Sequence, residues 1–117
     1  SIPMSFFDSE IVQSEMKEIQ SLQEKVYSNV FSFANMNARD KREHIDALEQ
    51  LLDRQQVLYA RVSLSDDPQA QAMKKDIVDS ASMFGLTKDT DLGLMFSHMK
   101  KAIHQMREAL DKPGSHW

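Results

Sequence analysis

The sequence has no cysteine, and it has only three glycines and three prolines among its 117 residues. Without cysteine the chain forms no disulfide, no thiolate zinc site and no cysteine nucleophile. No apolar stretch approaches the roughly 20 residues that span a bilayer, and no signal peptide is visible. The few glycines and prolines lie at the ends of predicted elements, which leaves long uninterrupted segments between them.

The chain also has little excess charge. Its formal net charge is −4, with 41% hydrophobic and 27% charged residues, as in ordinary soluble proteins. Such a balance favours solubility and gives no general attraction for nucleic acid or anionic membrane. Together with the absence of cysteine it fits a cytoplasmic location, which we predict. The length argues for one domain with a real core.

The strongest positive signal is a heptad pattern near the C-terminus. Apolar residues alternate there in steps of four and three: Leu92, Phe96, Met99, Ile103, Met106 and Leu110. The repeat averages about 3.5 residues, the period of a helix packed lengthwise on another helix. It predicts a helix that begins near Leu92 and stops before Pro113.

Two longer segments show the same rhythm. The first is predicted to be helical over about residues 6–33 and opens with a Ser-x-x-acid capping box from Ser5 to Asp8. Its apolar stripe consists of Val12, Met16, Ile19, Val26, Tyr27, Val30 and Phe33. The second is predicted over about residues 38–63, with Asn37 as its cap. The short link predicts an antiparallel hairpin.

A clear break precedes the third predicted helix. Asp67 stands before Pro68, which is typical of an N-cap followed by proline at the first helical position. The apolar positions of this helix are Ala70, Met73, Ile77, Ala81 and Phe84. Gly85 fits a left-handed C-cap.

The predicted fold is all-α: an antiparallel long-helix hairpin with two shorter helices packed on it, as in a four-helix bundle. A single helical domain is expected over residues 4–112, after a cloning remnant at residues 1–3 and before a flexible tail at residues 113–117. Because the third helix is shorter than the hairpin, part of the hairpin stays uncovered. We therefore expect a homodimer that covers the remainder.

The candidate residues for this dimer or partner surface are all apolar. Phe6 and Phe7 lie near the N-terminus, and exposed aromatic residues there would favour a partner interface. Leu51 and Leu58 flank the apolar stripe of the second helix, and Met95 lies beside that of the fourth.

Methionine is abundant, with eight residues. A methionine-rich face can form an adaptable partner groove, but Met99 and Met106 lie on the apolar stripe itself and are therefore expected in the core. Gln55 interrupts the stripe of the second helix. Two interpretations stay open: a polar residue that fixes register or partner choice, or a partly exposed edge of the stripe.

The sequence shows no catalytic signal, so we predict a non-enzymatic protein without catalytic, cofactor or metal site. It has no glycine-rich phosphate loop and no Gly-x-Ser-x-Gly motif. The alternative is a helical-bundle metal or cofactor site, whose candidate ligands are Asp40, His44, His98, His104 and Glu108. The Glu-x-x-His motif of such bundles is missing, and solvated surface histidines explain the pattern better.

A second alternative is a nucleic-acid-associated regulator. The basic clusters are Arg39, Lys41 and Arg42, then Lys74 and Lys75, then Lys100 and Lys101. A nucleic-acid footprint is a one-sided basic stripe. Acidic residues stand close to these clusters, which favours ordinary solvated helix faces.

Several strings of residues carry a likeness: Ser5-Phe6-Phe7-Asp8-Ser9-Glu10-Ile11-Val12, Glu43-His44-Ile45, Gln55-Gln56-Val57-Leu58-Tyr59, Ser63-Leu64-Ser65-Asp66-Asp67-Pro68 and Leu110-Asp111-Lys112-Pro113-Gly114-Ser115. With them the chain resembles, over residues 4–117, a small uncharacterised family of cyanobacteria and their phages. The resemblance implies a soluble helical protein of the host cytoplasm or a phage accessory protein, and it transfers no catalytic residue. The predicted function is a protein-interaction module, a regulator or adaptor that acts on a host protein.

Overall fold

Helices account for almost all of the described chain. The computed structural model describes residues 5–83 and 92–112, with residues 81–83 as backbone only. Over these ranges it contains four α-helices and no strand: α1 Glu10–Asn29, α2 Ala38–Leu64, α3 Pro68–Met83 and α4 Leu92–Asp111. Two 3₁₀ turns, Phe6–Asp8 and Val30–Asn35, lie before and after α1. The all-α prediction is confirmed.

The first helix is shorter in the structure than the apolar pattern predicts. The Asp8 carboxylate accepts a hydrogen bond from the Ser5 N–H at 3.0 Å, but this motif closes the first 3₁₀ turn and not the long helix. Helix α1 begins at Glu10 and ends at Asn29, where the backbone tightens into the second 3₁₀ turn. The prediction of one helix over residues 6–33 is wrong at both ends, because apolar spacing does not separate α from 3₁₀ geometry.

Helix α2 is capped as the sequence predicts. The Asn37 side chain accepts a hydrogen bond from the Asp40 N–H at 2.8 Å, which satisfies a donor in the first turn that has no partner within the helix. The helix has 27 residues and is therefore about 40 Å long.

Helix α1 runs antiparallel to α2. Glu15 lies 2.8 Å from Arg61, and Glu18 lies 3.0 Å from Arg54. Residue numbers rise along one helix while they fall along the other, so the predicted antiparallel hairpin is present.

Helix α4 packs along a second side of α2, also antiparallel to it. Lys100 lies 2.9 Å from Asp53, and Arg107 reaches Asp46 at 2.5 Å and Glu49 at 2.8 Å. Helix α2 is thus flanked by a charged seam on each side, one shared with α1 and one shared with α4.

Two apolar clusters lie beneath these seams. The cluster between α1 and α2 consists of Val12, Ile19, Val26, Ala47, Leu51, Leu58 and Val62, with Ala70 from α3. The cluster between α2 and α4 consists of Ile45, Leu52, Phe96 and Ile103. Ile45 and Val62 are fully buried, with 0% exposure. The core therefore extends along both sides of α2.

Helix α3 begins as its sequence predicts. Asp67 precedes Pro68, and the Asp67 carboxylate accepts a hydrogen bond from the Gln69 N–H at 2.8 Å. The other oxygen of the same carboxylate accepts a hydrogen bond from the Phe6 N–H at 2.6 Å. The start of α3 is thereby joined to the first 3₁₀ turn.

The molecule is long and narrow. Its radius of gyration is 16.9 Å and its extents are 62 × 31 × 20 Å, whereas a compact chain of this length has a radius of gyration of about 13 Å. Helix α3 has 16 residues, or about 24 Å of length, so it covers only part of α2.

Some predictions fall on residues or side chains that the structure does not describe. These are the cloning remnant at residues 1–3, the side chain of Ala81, the apolar position Phe84, the C-cap at Gly85 and the tail at residues 113–117.

Candidate functional site

An apolar cavity lies where the four helices meet, and we call it the central cavity. Its walls include Ile19 of α1, Leu58 of α2, Ile77 of α3 and Phe96 of α4. Its volume is about 360 Å³, within the range of about 300–1,000 Å³ that is usual for ligand pockets. Bundles place such pockets between their helices because side chains from facing helices can surround a guest.

The polar side chains of the central cavity are few and uncharged. They are the amides of Gln23 and Gln55 and the hydroxyl-bearing ring of Tyr59, and no charged side chain or histidine stands among the described lining residues. Neither amide makes a hydrogen bond within residues 5–83 and 92–112. Gln55 is half-buried, so the residue that interrupts the predicted stripe helps to form this cavity.

The central cavity is partly open to solvent. Met99 lines it and is 45% exposed, so this space of about 360 Å³ is a pocket that a guest can enter and not a sealed void. A guest that covers its apolar walls would gain about 25 cal/mol for each Å² of apolar surface removed from water.

Three methionines belong to the walls: Met73 of α3 and Met95 and Met99 of α4. Met95 is half-buried, and Met99 is 45% exposed. The prediction of Met99 as a core residue is therefore wrong, since α4 turns this part of its stripe toward the opening of the cavity. Methionine side chains are flexible and polarisable, so they adapt to guests of different shape.

Four of the predicted partner-surface residues are not free surface. Leu51 and Leu58 are 7% and 8% exposed and lie in the cluster between α1 and α2. Their prediction as a dimer surface is wrong, because α2 buries one apolar stripe against α1 and another against α4. Phe6 and Phe7 are half-buried, form an edge-to-face pair with centroids 5.0 Å apart, and pack against the same cluster. Met95 remains accessible through the central cavity.

A small apolar surface that the sequence analysis missed lies at the end of α1, and we call it the apolar tip. It consists of Tyr27, Val30 and Phe31, which are 65%, 48% and 95% exposed. They lie close together in the sequence, where α1 is followed by the second 3₁₀ turn. The stripe assigned Tyr27 and Val30 to the core, which is wrong. In the last turns of α1 the buried residue is Val26, and its neighbour Tyr27 is exposed. At Val30 the backbone changes to 3₁₀ geometry, whose larger angular step per residue takes Val30 off the stripe.

The candidate metal ligands do not form a metal centre. Among the described residues, no three His, Asp or Glu side chains come together in an arrangement that could hold a metal ion. His104 lies 3.0 Å from Glu108 on an exposed face of α4. Asp40 and His98 are exposed as well.

His44 is the exception to the expected solvated histidines, since it is only 5% exposed. Its ring centroid lies 5.2 Å from that of Phe33, and its Nδ1 has no hydrogen-bond partner among residues 5–83 and 92–112. It lines a small cavity of about 210 Å³ together with Lys25, Asp40 and Glu43. Burial lowers the pKa of His44, which favours a neutral ring at the turn between α1 and α2.

Members of the basic clusters have carboxylates beside them in the described part of the chain. Arg42 pairs with Asp111 at 2.5 Å, and Lys75 pairs with Asp79 at 3.6 Å. Lys41 is buried, with its ammonium 5.5 Å from the centre of an aromatic ring. Neighbouring charges of both signs are typical of solvated helix faces.

The comparison with known families gives one match. A family model described as a domain of unknown function, DUF1825, matches residues 4–110. The chain belongs to this family. No curated protein and no solved structure matches it. The family description assigns no activity, so function has to be argued from the cavity and the surface. None of the described helices is long and apolar enough to cross a membrane.

Proposed function

We propose that this DUF1825 member is a non-enzymatic protein-interaction module, a regulator or adaptor in the cytoplasm of a cyanobacterium or of a phage-infected cyanobacterial cell. The observation that carries the proposal is the apolar tip. Its three side chains are exposed and lie close together in the sequence at the end of α1.

The apolar tip contributes little to the stability of its own chain. Phe31 is 95% exposed, so its ring gains almost nothing from the fold, whereas burial against a partner would remove its apolar surface from water. Aromatic residues are enriched at protein interfaces for this reason. Single exposed apolar residues are ordinary, but here three of them fall within residues 27–31.

The size of the apolar tip indicates the kind of partner. Stable complexes bury about 800 Å² on each side, which is more than three side chains supply. The tip is therefore proposed as the apolar centre of a larger polar interface with another protein, whose matching surface is an apolar pocket with a polar rim. A second copy of the chain is the other occupant, and the experiment distinguishes the two.

The test compares wild type with Phe31→Asp and with a matched control, Val57→Asp. Val57 is 46% exposed on α2, away from the apolar tip, and the control introduces the same charge. Capture from a cyanobacterial lysate should retain a defined protein on wild type and on the control. Phe31→Asp should weaken that capture by at least about tenfold, because a charge would be buried in the interface.

The result also identifies the occupant. Light scattering at micromolar concentration measures the mass of all three proteins, and the mass of one chain in each supports another protein as the occupant. A dimer that Phe31→Asp dissociates would assign the apolar tip to a second copy, as in the homodimer that the sequence predicts. Equal capture by wild type and Phe31→Asp would show that the apolar tip is not part of the partner interface. Circular dichroism on each variant confirms that the helices remain.

A further inference from the structure

We propose that the central cavity is a binding site for a small, uncharged, mostly apolar molecule that carries one hydrogen-bonding group. The proposal does not depend on the apolar tip, which lies at the end of α1. It rests on the size of the cavity, on the chemistry of its walls and on its opening.

The size and the apolar character of the cavity suit an occupant. A partly open apolar space of about 360 Å³ exposes side chains of four helices to water, and a guest that covers them removes that apolar surface from water. Walls that include Met73, Met95 and Met99 can move to enclose guests of different shape. A site with such walls accepts apolar guests of similar volume but different shape.

The walls also specify the charge of the guest. None of the described lining residues carries a charge, so a buried carboxylate, sulfonate or ammonium would have no counter-charge there. Burying an unpaired charge is far less favourable than burying an apolar group. The cavity therefore selects uncharged molecules.

The two amides specify the hydrogen bond. Gln23 of α1 and Gln55 of α2 both line the cavity, and neither side-chain amide makes a hydrogen bond within the described residues. Each amide offers one acceptor oxygen and two donor hydrogens. A guest with a single N–H, hydroxyl or carbonyl group would find a partner while its apolar remainder contacts the methionines and Phe96.

Entry is possible beside α4. Met99 is 45% exposed and also lines the cavity, so its side chain stands at the boundary between cavity and solvent. A larger side chain at this position should close or fill the site without replacing a fully buried residue.

The test uses two fluorescent probes with the same ring system. N-phenyl-1-naphthylamine is neutral and has one N–H, and 8-anilinonaphthalene-1-sulfonate adds a sulfonate to it. With the full chain, the neutral probe should show saturable, blue-shifted fluorescence at one molecule per chain. The sulfonate should bind at least about tenfold more weakly, because its charge has no partner in the cavity.

Variants locate the site. Met99→Trp should weaken binding of the neutral probe by at least about tenfold, since the indole occupies the volume that the probe needs. Leu94→Trp is the matched control: Leu94 is on the same helix, is 54% exposed and does not line the cavity. It should bind the probe within about twofold of wild type.

Three outcomes would overturn the proposal. One is no saturable binding of the neutral probe to wild type. Another is equal affinity for both probes, since binding of the sulfonate is typical of a loosely packed core. The third is equal binding by Met99→Trp and Leu94→Trp. Should Met99→Trp lose its helical circular dichroism, Met95→Trp takes its place in the same comparison.

Discussion

The carboxylate of Asp67 accepts a hydrogen bond from the backbone N–H of Phe6, across 61 positions of the chain, at 2.6 Å. The same carboxylate caps α3 through the Gln69 N–H at 2.8 Å. One side chain therefore starts a helix and also fixes the N-terminal 3₁₀ turn on it. Hydrogen bonds from Phe6 first, and then from Gln69, hold the pKa of Asp67 below its ordinary value.

The first prediction concerns this double role. Asp67→Ala should lower the free energy of unfolding and loosen the 3₁₀ turn, because it removes both the cap and the contact with Phe6. Asp66→Ala is the control, since Asp66 is exposed and makes no hydrogen bond or ion pair in the described structure. Urea unfolding measures both variants. Equal loss of stability in the two would contradict the assigned role.

The Asp67 carboxylate should also make the free energy of unfolding depend on pH in the acidic range. The folded pKa of Asp67 lies below its ordinary value of 3.8, so the stabilisation is complete above that pH and is lost as the pH falls through the folded pKa. Asp67→Asn should therefore reduce the difference in the free energy of unfolding between pH 5 and pH 3, measured by urea unfolding, and an unchanged difference would contradict this role.

The sequence predicts the ends of α2 and the start of α3 well, because their caps are local. Asn37 with Asp40, and Asp67 with Pro68, contain within a few residues the groups that begin each helix. The contact between Asp67 and Phe6 is different, since it requires the folded arrangement of two distant segments.

The prediction of Leu51 and Leu58 as a partner surface was wrong because of the way that the helices pack. A pattern of apolar residues shows that a helix has a buried side, but it does not give the number of neighbours. Helix α2 lies between α1 and α4, so Leu51 and Leu58 are buried beside one neighbour while Ile45 is buried beside the other. The prediction of Met99 as a core residue was wrong in the opposite sense. Met99 holds a regular heptad position on α4, but that position faces an open cavity.

The second prediction tests the core beside α4. Ile45→Ala should lower the free energy of unfolding by about 2–5 kcal/mol, because Ile45 has 0% exposure and its lost methyl groups leave a void. Val57→Ala, at a side chain that is 46% exposed, should change it by less than about 0.5 kcal/mol. Chemical denaturation of both variants gives the comparison, and a small effect at Ile45 would show that the α2–α4 cluster is not a packed core.

The third prediction concerns the charged seam between α2 and α4. Arg107 pairs with Asp46 at 2.5 Å and Glu49 at 2.8 Å, and these hydrogen bonds, that to Asp46 first, raise the pKa of Arg107. Arg107→Gln should lower the free energy of unfolding by about 1 kcal/mol at low salt.

High salt provides the check on this seam. The effect of Arg107→Gln should shrink in 1 M salt, where charges are screened within about 3 Å. Lys101→Gln removes an exposed cation without an ion pair in the described structure and should have little effect at either salt concentration. A salt-independent loss at Arg107 would instead assign its role to packing of its aliphatic stem.

The last prediction follows from His44. Burial lowers the pKa of His44 in the folded state below its ordinary value of 6.5, so the unfolded chain binds the proton more readily than the folded chain. Stability is therefore complete above about pH 6.5 and falls as the pH decreases below it. Urea unfolding at pH 7.5, 6.5 and 5.5 should show this decline in wild type. His44→Phe should flatten this decline, because phenylalanine keeps a ring against Phe33 but does not titrate.

Two comparisons assign the decline to His44. Lys25, Asp40 and Glu43 line the same small cavity and are present in both wild type and His44→Phe, so the difference between these two proteins isolates His44. His98→Gln, at an exposed position, should retain the wild-type decline, and a decline unchanged in His44→Phe would place the pH-sensitive group elsewhere.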